Sequence, residues 1–253
     1  MPTATFRFYA ELNDFLPPAR RQCDFTIRIA PDASIKHEIE ALGVPHTEVE
    51  LILADGVAVA FSHRLAGGER VAVYPVFETL DVTPMLRLRE TPLRRPAFIA
   101  DAHLGGLARL LRMAGFDTLY RNDFTDPEIV RIALAEHRVA LTRDRELLKR
   151  RDLTHGCYIH AVKPVAQLAE IVSRLDLARS FHPLSRCLAC NEALIPIDKS
   201  AVEHRLPDRV RERQERFSSC PHCGSVLWEG SHYRRMRQLM QVIAGAAWQG
   251  EQR

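Results

Sequence analysis

The sequence predicts an α/β fold: a parallel sheet with helices on both faces, set between a small α+β module and a cysteine-paired tail. Three observations carry this. From residue 97, short apolar runs alternate with helix-patterned segments, as in strands joined by crossover helices. Before it, apolar and polar residues alternate at the strand period around one helical stretch. After it, four of the six cysteines fall in two CxxC pairs.

Composition narrows the class. The 253 residues leave room for one large domain or two to three small ones. Hydrophobic residues at 46% and charged residues at 26% exclude a disordered tail, a collagen-like chain and a coiled coil. No run approaches the roughly 20 apolar residues of a membrane span. The N-terminus shows no secretory pattern, and CxxC pairs without a disulfide scaffold point to a reducing compartment, so the expected location is the cytoplasm. The net charge of +3 is uneven. Residues 1–86 carry 7 Lys+Arg against 12 Asp+Glu, residues 87–178 carry 16 against 12, and residues 179–253 carry 12 against 8. An acidic first third followed by a basic remainder suggests separate modules and is compatible with a polyanionic partner.

The first module reads as strand, strand, helix, strand, strand. ATFRFYAEL alternates until Pro17-Pro18, and CDFTIRIA alternates again as its hairpin partner. In SIKHEIEALG, Ser34 is the expected N-cap, Ile35, Ile39 and Leu42 share a face, and Gly43 is the expected stop. VELILADG and ERVAVYPVF are short apolar runs beside turn signals. This order resembles the β-grasp fold of ubiquitin-like sulfur carriers, most clearly at LAGGERVAVYPVF. Those carriers end in a diglycine that is adenylated and thiocarboxylated. Here Gly67-Gly68 precedes the last strand and the chain runs on. The resemblance therefore implies a binding or docking module with a protein partner, or a structural appendage, rather than a sulfur carrier. Its expected span is 1–81. Residues 82–96, with three prolines among arginines, read as a linker.

Residues 97–180 supply the parallel sheet. AFIAD is a strand ending in Asp101. HLGGLARLLRMAG is a helix with Leu104, Leu107, Leu110 and Leu111 on one face, stopped by Gly115. FDTLYRND is a second strand, and TDPEIVRIALAEH opens a helix with Thr125 or Asp126 as N-cap and Pro127 in its first turn. RVALTRD is a third strand ending in Asp144, RELLKRR a short helix, GCYIHAV a fourth strand and PVAQLAEIVSRLDL the last helix. Ligands of such sheets bind beyond the carboxyl ends of the strands.

That edge collects acids. Asp101 and Asp144 directly follow strands, Asp126 and Glu128 start a helix after the second strand, and Glu146 lies two residues past Asp144. Carboxylates at that density repel one another unless a cation sits among them, and hard oxygen ligands suit Mg²⁺ or Mn²⁺. Each also has a duller reading. Asp126 and Asp144 are ordinary helix caps, Glu128 favours a helix dipole, and Asp123 suits a turn. The combination carries the inference, and no single residue does. Arg143, Arg145, Lys149, Arg150 and Arg151 cluster just beyond. They suit phosphates or the solvated face of a short helix. Thr142 would orient Asp144 or serve only as a strand residue.

The stretch from FIADAHLGGLARLLRMAGFDTLY through DPEIVRIA to RVALTRDREL resembles the PIN-like ribonucleases of the Mut-seven C-terminal RNase domain family. Asp101, Gly115-Phe116-Asp117, Asp126 and Thr142-Arg143-Asp144 match its pattern in order. That family also carries a CxxC…CxxC ribbon, and some bacterial members carry an N-terminal ubiquitin-like module, so the resemblance covers nearly the whole chain. It implies a PIN-like sheet and a metal-dependent ribonuclease acting on single-stranded RNA. Asp101, Asp126, Asp144 and Glu146 form the expected catalytic set, with Asp101 and Asp144 as Mg²⁺ or Mn²⁺ ligands. Glu146 departs from the pattern, since relatives have a shorter Asp there, and this puts a second metal in doubt. Arg143, Arg145, Lys149 and Arg150 are the expected RNA contacts. The alternative is a non-catalytic RNA-binding or adaptor protein that keeps the fold.

Residues 181–253 hold Cys187-Leu-Ala-Cys190 and Cys220-Pro-His-Cys223-Gly, separated by 29 residues. Four thiolates on two turns satisfy tetrahedral Zn²⁺, so a structural zinc ribbon is expected. A basic amphipathic helix follows it. Trp228 and Tyr233 with Arg234-Arg235 would stack on RNA bases, or Trp228 would simply pack on the ribbon.

Overall fold

The structure is a computed structural model and describes residues 2–75, 96–245 and 248. In chain order the elements are β1 (Thr3–Phe8), β2 (Phe25–Arg28), α1 (Ile35–Ala41), β3 (Val49–Ala54), β4 (Val57–Ala58) and β5 (Arg70–Pro75). Then come β6 (Phe98–Ala100), α2 (Gly105–Ala114), β7 (Thr118–Tyr120), α3 (Asp126–Ala135), β8 (Val139–Thr142), α4 (Arg145–Leu148), β9 (Gly156–Tyr158) and α5 (Pro164–Arg174). The remainder holds β10 (Ile195–Ile197), α6 (Lys199–Val202), α7 (Asp208–Arg213), β11 (Phe217–Ser219), β12 (Val226–Trp228) and α8 (Ser231–Ala244). Of the expected linker at 82–96, residues 82–95 lie outside the described residues. No helix among the described residues is long and apolar enough to cross a membrane.

The chain divides into two compact units, each discontinuous in sequence: Met1–Arg95 with Thr125–Tyr158, and Pro96–Phe124 with Ile159–Arg253. In the first, β1 pairs antiparallel with β2 and parallel with β5, and the sheet order is β2-β1-β5-β3-β4. Alternation in β1 buries Ala4, Phe6 and Phe8 against Ile35 and Ile39 of α1. Ser34 caps α1, its Oγ accepting from the His37 amide, and Gly43 leaves it at φ +99°. This is a β-grasp module. The same unit contains α3, β8, α4 and β9, with β8 and β9 parallel.

The second unit contains β6 and β7, which are also parallel, with α2 and α5. Of the four leucines on the predicted face, Leu104, Leu107 and Leu111 are buried and Leu110 is half-buried. Gly115 ends α2 at φ +100°, where a Cβ would stand 2.4 Å from the His182 carbonyl oxygen, so only glycine fits this turn. The unit closes with the antiparallel sheet β10-β11-β12, whose small core joins Val202, Leu206 and Phe217 to Trp228. Parallel strands flanked by helices, preceded by a β-grasp module, agree with the expected fold class.

Candidate metal centre and acidic residues

The two cysteine pairs form one cluster. All four sulfurs lie within 4.8 Å of one another. Cys187 and Cys223 are 3.6 Å apart, and Cys190 and Cys220 are 3.3 Å apart. Zn–S bonds of about 2.3 Å in a tetrahedron place sulfurs about 3.8 Å apart, so the cage fits Zn²⁺ with small adjustments. Both turns share one design. The Asn191 amide donates to the Cys187 carbonyl and the Gly224 amide to the Cys220 carbonyl. Asn191 and Gly224 both take φ +68°. The thiols are inequivalent: burial and its sulfur neighbours push Cys190 up to about 12, while the Ser225 hydroxyl and amide hold Cys223 down to about 6.

A second layer, absent from the sequence reading, surrounds this cluster. Arg112 of α2 is buried, and its Nε donates to the Thr118 carbonyl at 2.9 Å. Its Nη1 donates to the carbonyls of Ala189 at 2.8 Å and Leu188 at 3.2 Å, the two residues inside the first CxxC. Burial pushes the Arg112 pKa down, and the charges of Cys187, Cys190 and Asp117 oppose that shift. Four thiolates on a divalent ion leave excess negative charge, which a buried guanidinium offsets. Asn191 donates to Asp117 at 2.7 Å and accepts from the Thr118 amide at 2.9 Å, while Arg186 pairs with Asp117 at 3.3 Å. The Gly-Phe-Asp step is thus a joint between α2, β7 and the first knuckle.

Asp101 and Asp144 follow strands, and the other acids start or flank helices. In the second unit, Asp101 follows the carboxyl end of β6 and opens a 3-10 turn, its carbonyl accepting from the Leu104 amide. In the first unit, Asp144 follows β8. Its Oδ1 accepts from the Glu146 amide at 2.8 Å, and its own amide donates to Thr142 Oγ1 at 2.9 Å. Asp144 therefore both caps α4 and is oriented by the buried Thr142. Thr125, not Asp126, is the N-cap of α3, and Glu128 completes the capping box by accepting from Thr125. That leaves Asp126 half-exposed in the first turn with no capping task. Glu146 is exposed and pairs with Lys149 at 2.9 Å. Asp123 holds Arg121 across a turn. Among the described residues, Asp126, Asp144 and Glu146 do not converge into a group of metal-ligand spacing as the cysteines do.

The basic residues divide in two. Arg143 and Arg150 are exposed and Lys149 half-exposed. Arg145 instead turns inward within the first unit. Its guanidinium lies 5.1 Å from the Phe15 ring and 5.5 Å from the Tyr158 ring, and Nη1 donates to the Phe15 carbonyl at 3.3 Å. Around it the β-grasp module satisfies the backbone of the α4–β9 segment. His46 Nε2 meets the Leu153 carbonyl at 2.9 Å, Thr47 donates to the Leu148 carbonyl at 3.4 Å, and Glu48 accepts from the Tyr158 amide. A Cβ on Gly156 would stand 2.5 Å from the Leu148 side chain and 3.4 Å from Thr47 Oγ1, so a larger residue there would force the Leu148 side chain to shift.

The model of the Mut7-C RNAse domain matches residues 96–240. The chain belongs to the Mut7-C RNAse domain family. Residues 1–81 match the Mut7-C ubiquitin model, which assigns the β-grasp module to the domain that accompanies Mut7-C. No curated protein matches the chain. Among solved structures, the small archaeal modifier protein 1 of H. volcanii is similar at 18% identity, covering 30% of this chain and 98% of its own, with a TM-score of 0.25. The Mut7-C match spans the acidic strand ends and the cysteine cluster together.

Proposed function

We propose that this Mut7-C protein is a metal-dependent ribonuclease that hydrolyses phosphodiester bonds of single-stranded RNA, with structural zinc in the Cys187, Cys190, Cys220 and Cys223 cage. The observation that carries this is Asp144: an exposed carboxylate after the carboxyl end of a parallel strand, with its backbone and one oxygen already oriented. Domain limits of 1–81, 97–180 and 181–253 go with this reading.

Asp101 and Asp144, each at the end of its strand, are the proposed ligands of Mg²⁺ or Mn²⁺, since carboxylate oxygens are the donors those ions take. Such an ion would supply Lewis acidity and an activated water for in-line displacement at phosphorus. The chain's own residues do the positioning. Thr142 and the α4 cap hold Asp144 in one orientation. Asp126, released from capping, and Glu146 complete the acidic set. Arg143, Lys149 and Arg150 offer cations to neighbouring phosphates, which fixes register without reading sequence. Arg145 is committed to Phe15 and Tyr158 and supports the loop from behind.

The test is cleavage of a labelled single-stranded RNA by zinc-loaded protein with and without added Mn²⁺ or Mg²⁺, for wild type and Asp144→Asn. The expected result is metal-stimulated cleavage reduced at least about 100-fold by the substitution, about 2.7 kcal/mol of barrier. Equal cleavage by both proteins would refute the assigned site. RNA binding without cleavage by either would favour the non-catalytic adaptor, a reading consistent with Asp144 serving as a cap and Glu146 as the partner of Lys149.

A further inference from the structure

The second unit contains a groove that neither the acidic residues nor the zinc cage uses. Its sequence origin is the pairing of short ribbon strands with a basic helix. The ribbon's small core covers one side of β11 and β12, and α8 carries Tyr233, Arg234, Arg235 and Arg237 with no acidic residue. Together with the chain after α5, these elements leave a cavity of about 1080 Å³. Trp228, Tyr233, Trp248, Arg179, Arg216 and Arg237 are among its lining residues. The volume lies just above the range for small-molecule pockets, about 300–1,000 Å³, and exceeds a slot for one ring.

The groove presents flat π-surfaces and planar cations side by side. Trp228 is half-buried, seated on Phe217 at 6.4 Å, and passes close to Gly230, where a Cβ would stand 2.8 Å from the indole Nε1. Arg237 lies 6.0 Å from the Tyr233 ring and 5.9 Å from the Trp248 ring. Trp248 in turn meets Phe181 edge-on at 5.8 Å, which fixes it from behind. Acidic residues also line the groove. Glu215 is neutralised by Lys199 at 2.7 Å, leaving Asp198 and Glu229 against three arginines. The exposed side chains of Arg179 and Arg216 make no hydrogen bond or ion pair among the described residues, and the exposed Arg234 and Arg235 of α8 extend the positive rim.

Aromatic faces interleaved with guanidinium groups are the chemistry that holds single-stranded nucleic acid, bases on rings and phosphates on cations. An acidic peptide would use the arginines but gain nothing from the ring faces. We propose that this groove binds a segment of single-stranded RNA, with bases stacked on Trp228 and Tyr233 and phosphates held by Arg179 and Arg216, while Arg237 braces the Tyr233 and Trp248 rings. The choice of RNA rests on the ribonuclease reading; the groove itself lies outside the acidic set, so each can fail separately.

The experiment uses full-length zinc-loaded Asp144→Asn protein and a fluorescein-labelled oligouridylate of twelve nucleotides. Anisotropy reads affinity and tryptophan emission reads stacking, for this background, for Tyr233→Ala, and for the Arg179→Ala/Arg216→Ala pair, each with zinc content measured. The expected results are quenching on binding, about tenfold weaker affinity for Tyr233→Ala, and a shallower salt dependence for the arginine pair, by about 0.7 in log–log slope per phosphate lost. Unchanged affinity in both variants at full zinc content overturns the proposal. So does equal competition by polyglutamate of matched charge, which would make the groove a protein-docking surface. Cleavage is read separately in the Asp144-intact protein. Its absence with groove binding intact counts against the nuclease alone.

Discussion

The cysteine cluster and the acidic residues are the two chemically loaded regions, and they are assembled in opposite ways. Each cysteine pair sits on a turn closed within five residues, with a left-handed residue at the same offset, Asn191 in one and Gly224 in the other. Local hydrogen bonds thus aim two sulfurs inward before any long-range contact forms. The acids have no such closed motif. Their local bonds serve other ends: Asp144 caps a helix, Glu146 holds Lys149, and Glu128 closes a capping box. A ligand set made from turns has its geometry written into spacing, whereas one made from strand ends depends on the fold around it and shares its oxygens with helix starts.

The largest effect expected from this contrast is on the cysteine side. Cys220→Ser, or removal of zinc by a chelator, should melt the ribbon and lower the stability of the second unit by several kcal/mol, since structural zinc contributes apparent binding energies of about 10–16 kcal/mol. Zinc release should also become easier as pH falls, because Cys190 must lose its proton to bind. Calorimetry with a colorimetric zinc assay checks both, and an unchanged melting profile after complete zinc loss would break the comparison. Next in size is Arg112→Met, which leaves the carbonyls of Thr118, Leu188 and Ala189 without their donor. Zinc affinity should fall by about 10–100-fold, measured by competition with a chelating dye, and Arg112→Lys should recover only part. The smallest effect sharpens the acidic side. Arg145→Ala should cost about 1–2 kcal/mol in denaturant unfolding through its lost ring and carbonyl contacts. The exposed Arg143→Ala should stay within about 0.5 kcal/mol, and equal costs would show that the inward contact of Arg145 contributes nothing.

Legibility followed the same division. Four of the five β-grasp strands, the Ser34 cap, the Gly115 stop and the four thiols follow from patterns within a few residues, whereas the two-residue β4 carries no such pattern. Asn191 carries a local signal too: asparagine tolerates the left-handed region, and it holds the position that Gly224 holds in the second knuckle. Arg112 gave none, because a Leu- and Arg-rich helix does not reveal which arginine turns inward. Nor did Phe15, Thr47 and Glu48, whose partners lie more than a hundred residues on. Arg145 illustrates the general reason. Spacing marks it as one cation among five, and only tertiary packing sets it apart from Arg143.

The discontinuous make-up of the first unit has a consequence for how the protein is born. Its β-grasp sheet is complete at Pro75, yet the groups that Thr47 and Glu48 satisfy lie at Leu148 and Tyr158. At about 5–20 residues per second, a ribosome takes on the order of 4–16 s to deliver them. During that interval the His46–Glu48 turn lacks these partners while the first strands and helix of the other unit are synthesised between the two halves of the first.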